Sequence, residues 1–193
     1  MKALSLPFLL FLGLPVDQAQ NKPMYTVRVT PTEFFSGALK RLEAHFDHSS
    51  AVCFNVRIQG GVTIWPDVEM WCDGKRVDRP RYGTKNDERS DEVTIVLREG
   101  ERTDKDGKLY RVSVGGIESF VRDLKEPRSR QEIKVAFGPV SITEPLEFKP
   151  SVNSIVVWAM GAGDGIDLSK QGEIQKRLES LPWAMILRLR IGR

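Results

Sequence analysis

Short segments in which apolar and polar residues alternate run through most of this chain, and a period of two is the mark of half-buried β-strands. Nine strand candidates stand at residues 24–30, 52–59, 62–71, 93–97, 109–114, 133–137, 140–148, 154–160 and 183–191. The first places Tyr25, Val27 and Val29 on one face. The last places Trp183, Met185, Leu187, Leu189 and Ile191 on one face, with Arg188 and Arg190 opposite, where they fit a solvent-facing strand surface and discourage edge-to-edge pairing. Residues 154–160 are apolar on both faces and suit a central strand. Gly, Pro, Asp and Asn bound these segments. Gly60-Gly61 reads as a two-residue hairpin turn, Asp73-Gly74 and Asp106-Gly107 as further hairpin turns, and Gly138-Pro139 as a break between two strands. The series predicts a mainly β fold, an antiparallel β-sandwich of immunoglobulin-like or jelly-roll-like kind.

Two or three short helices interrupt the pattern. Ser36 is placed to cap residues 37–46, with Leu39, Leu42 and Phe46 on one side. Ile117, Phe120, Val121 and Leu124 fall at helical spacing before Pro127. Ile174, Leu178 and Leu181 mark residues 169–181, closed by Pro182. Helices within a β pattern keep a mixed α+β layer fold as the alternative.

The chain opens with Lys2, an apolar run at residues 3–16 and a return to polar residues at Asp17. That is the layout of a secretory signal peptide, with cleavage expected after Ala19. The run is shorter than the roughly 20 residues a bilayer span needs. No later segment approaches that length, so no transmembrane segment is expected in the mature chain. The expected organisation is a signal peptide at 1–19 and a single β-sandwich domain at 20–193, secreted or periplasmic.

With 40% hydrophobic residues the chain has ample core material. Its 29 Lys and Arg against 26 Asp and Glu leave a net charge of +3, dispersed among both signs. Nucleic-acid recognition calls for a basic stripe. The richer clusters at 75–89 and 122–134 are interleaved with acids, so no nucleic-acid partner is expected.

Export gives Cys53 and Cys72 a meaning. An oxidising compartment permits the one possible disulfide between them, and an exposed free thiol there is a liability. Strand phase sets Cys53 on the polar face with Asn55, Arg57 and Gln59, and a tight turn at Gly60-Gly61 sets it opposite Asp67 or Val68. A bridge therefore needs a bulge near Pro66 or a chain that folds back, and two free thiols are the other reading.

The only histidines flank Asp47: His45 and His48 stand three residues apart, a spacing that puts two imidazoles on one helix face. With Asp47 they form a candidate metal site, and the plainer reading is a polar helix end. Asp164 and Asp167, in the glycine-rich stretch 161–167, are candidate calcium ligands or simply a turn before a helix. A dinucleotide loop is excluded because Ile166 occupies its last glycine position. No nucleophile elbow or Gly-Lys-Ser/Thr motif exists, and nothing calls for a catalytic residue or a cofactor. Trp65 and Trp71 are the candidate binding aromatics; Trp71 is expected to face outward with Glu69, the plainer alternative being core packing. The expected function is a non-catalytic binding or interaction module for a protein, glycan or cell-surface component. The alternatives are an extracytoplasmic hydrolase or metalloenzyme using His45, Asp47 and His48, and a structural subunit of a surface assembly.

Overall fold

The computed structural model describes residues 26–33, 35, 37, 40–41, 49–59, 63–78, 92–99, 108–116, 120–148 and 153–192. These residues include eleven strands, a 3-10 turn at Gln171–Glu173 and one helix. In chain order the strands are β1 (Thr26–Thr32), β2 (Ser49–Gln59), β3 (Thr63–Cys72), β4 (Lys75–Arg76), β5 (Glu92–Glu99), β6 (Leu109–Gly116), β7 (Phe120–Lys125), β8 (Ala136–Ser141), β9 (Leu146–Phe148), β10 (Ser154–Ala162) and β11 (Trp183–Gly192). A 3-10 turn (Gln171–Glu173) leads into α1 (Ile174–Ser180).

The strands make two open, antiparallel sheets. One has the order β7-β6-β5-β2-β1-β9 and the other β4-β3-β11-β10-β8. The expected mainly β, antiparallel character is present. Alternation explains the local structure: Val27 and Val29 of β1 are buried while Arg28 between them is exposed, and Phe54 and Val56 of β2 are buried beside exposed Asn55 and Arg57. β10, apolar throughout, is buried from Ile155 to Ala162 and lies between β8 and β11 as a central strand should.

One hydrophobic cluster joins the sheets. Val27, Val29, Phe54, Val56, Tyr110 and Val112 enter it from the first sheet, and Val68, Met70, Trp158, Met160, Met185 and Leu187 from the second. The Tyr110 ring of β6 meets the Trp183 ring of β11 with centroids 6.0 Å apart and a 36° tilt. That offset geometry suits aromatic quadrupoles.

Helix α1 sends Ile174 and Leu178 into the same buried set, and Leu181 follows before Pro182, as the spacing predicts. Where β10 bulges between Val156 and Trp158, Gln171 acts as a substitute strand neighbour. Its carboxamide accepts from the Val156 amide at 2.9 Å and donates to the Val156 carbonyl at 2.8 Å. Both main-chain groups are thereby satisfied without a strand.

Several expectations are corrected. β2 and β3 do not form a hairpin around Gly60-Gly61: β2 pairs with β1 and β5, β3 with β4 and β11, so the chain passes there from one sheet to the other. The segment expected to be helical before Pro127 is instead β7, held by a ladder to β6 from Leu109↔Lys125 to Val114↔Phe120. β8 runs through Gly138-Pro139 without a break, and Pro139 is accommodated because β8 is an edge strand with a bulged register. Most of the predicted helix at 37–46 and the signal segment 1–19 lie outside the described residues.

Cys53 and Cys72 are not joined by a disulfide. Cys53 belongs to β2 of the first sheet, on the side of Asn55 and Arg57, away from the shared core. Cys72 belongs to β3 of the second sheet, in phase with Val68 and Met70, which face that core. The two thiols thus point to opposite sides of the first sheet. Cys53 is nonetheless buried, where its phase alone led us to expect exposure.

Of the expected hairpin turns, Asp106-Gly107 lies outside the described residues, although β5 and β6 on either side of it pair antiparallel. β3 and β4 pair across Asp73-Gly74, where Asp73 (φ 48°) and Gly74 (φ 76°) both take the left-handed backbone that a type I′ turn requires.

Candidate functional site

Two regions of the second sheet gather chemistry-bearing side chains. The first lies on the face of β3 turned away from the shared core. Alternation puts Trp65, Asp67, Glu69 and Trp71 on that face, and the antiparallel register with β11 brings Arg188 opposite Asp67 and Arg190 opposite Trp65. Asp67 is 1% exposed and Glu69 0%. Carboxylates this deep persist only when ion-paired and hydrogen-bonded.

Each acid is matched by arginines. Arg76 Nη1 and Nη2 donate to the two oxygens of Asp67 at 2.8 and 3.0 Å, a bidentate fork, and Arg190 Nε donates to Asp67 at 2.9 Å. Glu69 accepts from Arg188 Nε at 2.7 Å, Arg190 Nη2 at 2.6 Å and the Trp71 indole Nε1 at 2.8 Å. Arg76 also donates to Asp78 through Nε and Nη2, both at 3.0 Å. The Asp67 and Asp78 carboxylates hold Arg76 firmly in its charged form, against the pull of burial.

Arg188 and Arg190, expected on a solvent face, instead sit on a central strand and neutralise a buried acidic pair. Trp71 does share the face of Glu69, as its phase predicts, but that face is covered. The indole packs against the hydrophobic cluster and donates to Glu69. Trp65 is half-buried at the other end of the row.

The second region is a furrow between β8 and the segment 164–180, with a volume of about 770 Å³. Such a size is ordinary for a ligand-binding cleft. Phe137 and Val140 of β8 form one wall, and Ile166, Ile174 and Arg177 stand in the other. Smaller hollows continue it in both directions, one past Ile142 and Leu146 and one past Val135. Beside it Ile133, Val135 and Val140 are 45%, 60% and 36% exposed. These are large values for branched aliphatic side chains grouped along one edge.

The rim carries both signs. Arg177 donates through Nε to the Gly165 carbonyl at 2.8 Å and pairs with Asp164 at 3.2 Å. Asp167 accepts from the Ser169 hydroxyl at 2.6 Å and the Ser169 amide at 3.0 Å, and Lys170 lies 3.6 Å away. The Ser169 hydroxyl and amide hold the Asp167 carboxyl below the usual carboxylate range, with Lys170 adding to the effect.

Asp164 and Asp167, the candidate calcium ligands, therefore both line the furrow, each engaged by a neighbour. His45, Asp47 and His48 lie outside the described residues. Among the described residues no group of three His, Cys, Asp or Glu side chains is placed to hold a metal ion. No described helix is long and apolar enough to cross a membrane. At the Asp73-Gly74 turn, burial pushes the Cys72 thiol up and the adjacent Asp73 carboxylate adds to it. The Asp73 carboxyl is held low by the Ser129 hydroxyl and the Arg130 amide.

The comparisons with known proteins add no relative: no family model, no curated protein and no solved structure matches the chain.

Sequence reasoning named Trp65 and Trp71 in the first region and Asp164 and Asp167 in the second, but missed the Asp67–Glu69–arginine network and the apolar wall of the furrow. A signal for the first existed, because acids at alternate positions of one strand (Asp67, Glu69) complement arginines at alternate positions of another (Arg188, Arg190). Only the register brings them together. The furrow had a weaker signal in the apolar residues of 133–140, whose outer wall comes from a segment thirty residues on.

Proposed function

We propose that residues 20–193 form a two-sheet β-sandwich domain, exported behind the signal at 1–19, that works as a non-catalytic binding module for an extended apolar segment of a protein partner. The furrow along β8 is the observation that carries this reading. β8 has six residues, so the furrow accompanies about 20 Å of extended chain. Its wall alternates apolar side chains with charges of both signs, which suits a peptide better than a sugar. A glycan platform would need presented indoles, and Trp71 is tied to Glu69 and to the core. Recognition rests on side chains in the furrow and not on strand addition, because Pro139 removes an N–H in the middle of the β8 edge.

Peptides selected from a random display library against the full mature chain test the assignment. Their affinity is expected to fall at least tenfold in Val135→Asp combined with Val140→Asp, with folding retained because both positions are solvent-accessible. Unchanged affinity in a folded double variant contradicts it. The apolar segment 3–16 supports export to a secreted or periplasmic location. N-terminal sequencing of protein recovered from a secreting host is expected to begin at Gln20, and a product that keeps Met1 argues against export.

A further inference from the structure

We propose that Arg177 sets the specificity of the furrow, selecting an extended apolar segment that carries an acidic side chain, Asp or Glu, within it. The proposal rests on the furrow being the binding site and adds the charge that it reads. Arg177 lines both the main furrow and the smaller hollow past Val135. Its Nε donates to the Gly165 carbonyl at 2.8 Å, which fixes the guanidinium against the main chain. Gly165 is also a neighbour of the Phe137 ring: a Cβ on it would stand 4.0 Å from Phe137 Cγ. The anchored cation and the aromatic wall therefore meet at one point of the furrow.

The neighbouring charges are solvated or already answered. Glu173 and Lys176 are exposed. Lys170 is 61% exposed and pairs with Asp167, which also takes two hydrogen bonds from Ser169. Arg177, by contrast, is 33% exposed, and the carboxylate that meets its Nη2 at 3.2 Å belongs to Asp164, a side chain 90% exposed. Its Nη1 lies 3.5 Å from the Ser180 hydroxyl, the outer limit of a hydrogen bond. An ion pair so open to water stabilises little and is readily exchanged. Asp164 thus marks where a carboxylate sits on this guanidinium. A carboxylate brought in on an apolar segment meets the same atoms with water partly excluded, and the pair is stronger for it.

The position of Arg177 along the furrow decides which carboxylate it reads. Hollows continue the furrow in both directions, one past Ile142 and Leu146 and the other past Val135. Arg177 stands where the main furrow passes into the second of these, so a chain seated there continues beyond the guanidinium. The carboxylate is therefore an Asp or Glu side chain inside the segment and not a chain terminus. Apolar neighbours of that residue meet Phe137 and Val140 on one side and Val135 on the other.

Peptides selected from a random display library against the full mature chain are expected to share one acidic residue flanked by apolar ones. Replacing that residue by its amide, Asp by Asn or Glu by Gln, is expected to weaken binding about tenfold in the parent, the size of one charged hydrogen bond. In Arg177→Gln the same replacement is expected to cost less than about threefold, the size of an exposed pair. Asp164→Asn removes the competing carboxylate and is expected to tighten the acidic peptide about threefold while leaving its amide analogue unchanged; it decides the matter if Arg177→Gln does not fold. A tenfold amide penalty that persists in Arg177→Gln, or an acidic peptide bound no tighter by Asp164→Asn, overturns the proposal. So does a selected set with no shared acidic residue. If that set still loses affinity in the Val135→Asp and Val140→Asp double variant, the furrow stands as the binding site without this specificity; if it does not, both readings fall.

Discussion

Glu69 shows how much of this protein rests on single pairings. Stripping water from a carboxylate costs several kcal/mol, and the cost is offset here by Arg188, Arg190 and the Trp71 indole converging on one side chain. Glu69→Ala leaves those donors facing a hole. It is expected to lower unfolding stability in urea by about 3 kcal/mol, the low end for a broken buried pair, because Arg190 is 37% exposed and can turn to water. Glu69→Gln keeps the shape and an acceptor oxygen and is expected to cost less. A loss below about 1 kcal/mol in Glu69→Ala would show that the acid is not held as described. Nothing local to β3 announces this role. Asp67 and Glu69 occupy the polar phase of an amphipathic strand, a phase that usually meets solvent. Arginines 119 to 123 residues further along bury them.

At the scale of elements, a side chain can complete a sheet, as Gln171 does beside the β10 bulge. The Asp73-Gly74 turn was legible because its residue types are those the left-handed backbone demands, and the structure adds a second constraint. A Cβ on Gly74 would stand 2.8 Å from the Glu179 carbonyl oxygen of α1. Gly74→Ala is therefore expected to cost about 2 kcal/mol, from backbone strain plus the clash. Gly172→Ala, with open space around it and no left-handed backbone, is expected to be neutral or slightly stabilising. Thermal midpoints of the two variants check this; equal midpoints would contradict it. The segment at 169–181 was readable as helix because its apolar spacing fits only the helical period. β7 was not: Phe120, Val121 and Leu124 fit a helix, while Phe120, Arg122 and Leu124 fit a strand, and the ladder to β6 decided between them.

Across the whole molecule, period-two patterning made the β character and most strands legible, whereas partner choice was not. Gly60-Gly61 has the composition of a tight hairpin, yet its flanking strands pair in different sheets and meet only through the shared core. The same passage between sheets separates Cys53 from Cys72. The furrow is likewise a product of assembly, since Phe137 and Val140 gain their meaning only when Ile166, Ile174 and Arg177 are brought against them. Mapping amide chemical-shift changes on the isotope-labelled mature chain, titrated with a library-selected peptide, tests this assignment most directly. Shifts concentrated at residues 133–141 and 164–180 are the predicted result. Shifts centred on Trp65 and Trp71, with β8 unaffected, would contradict it.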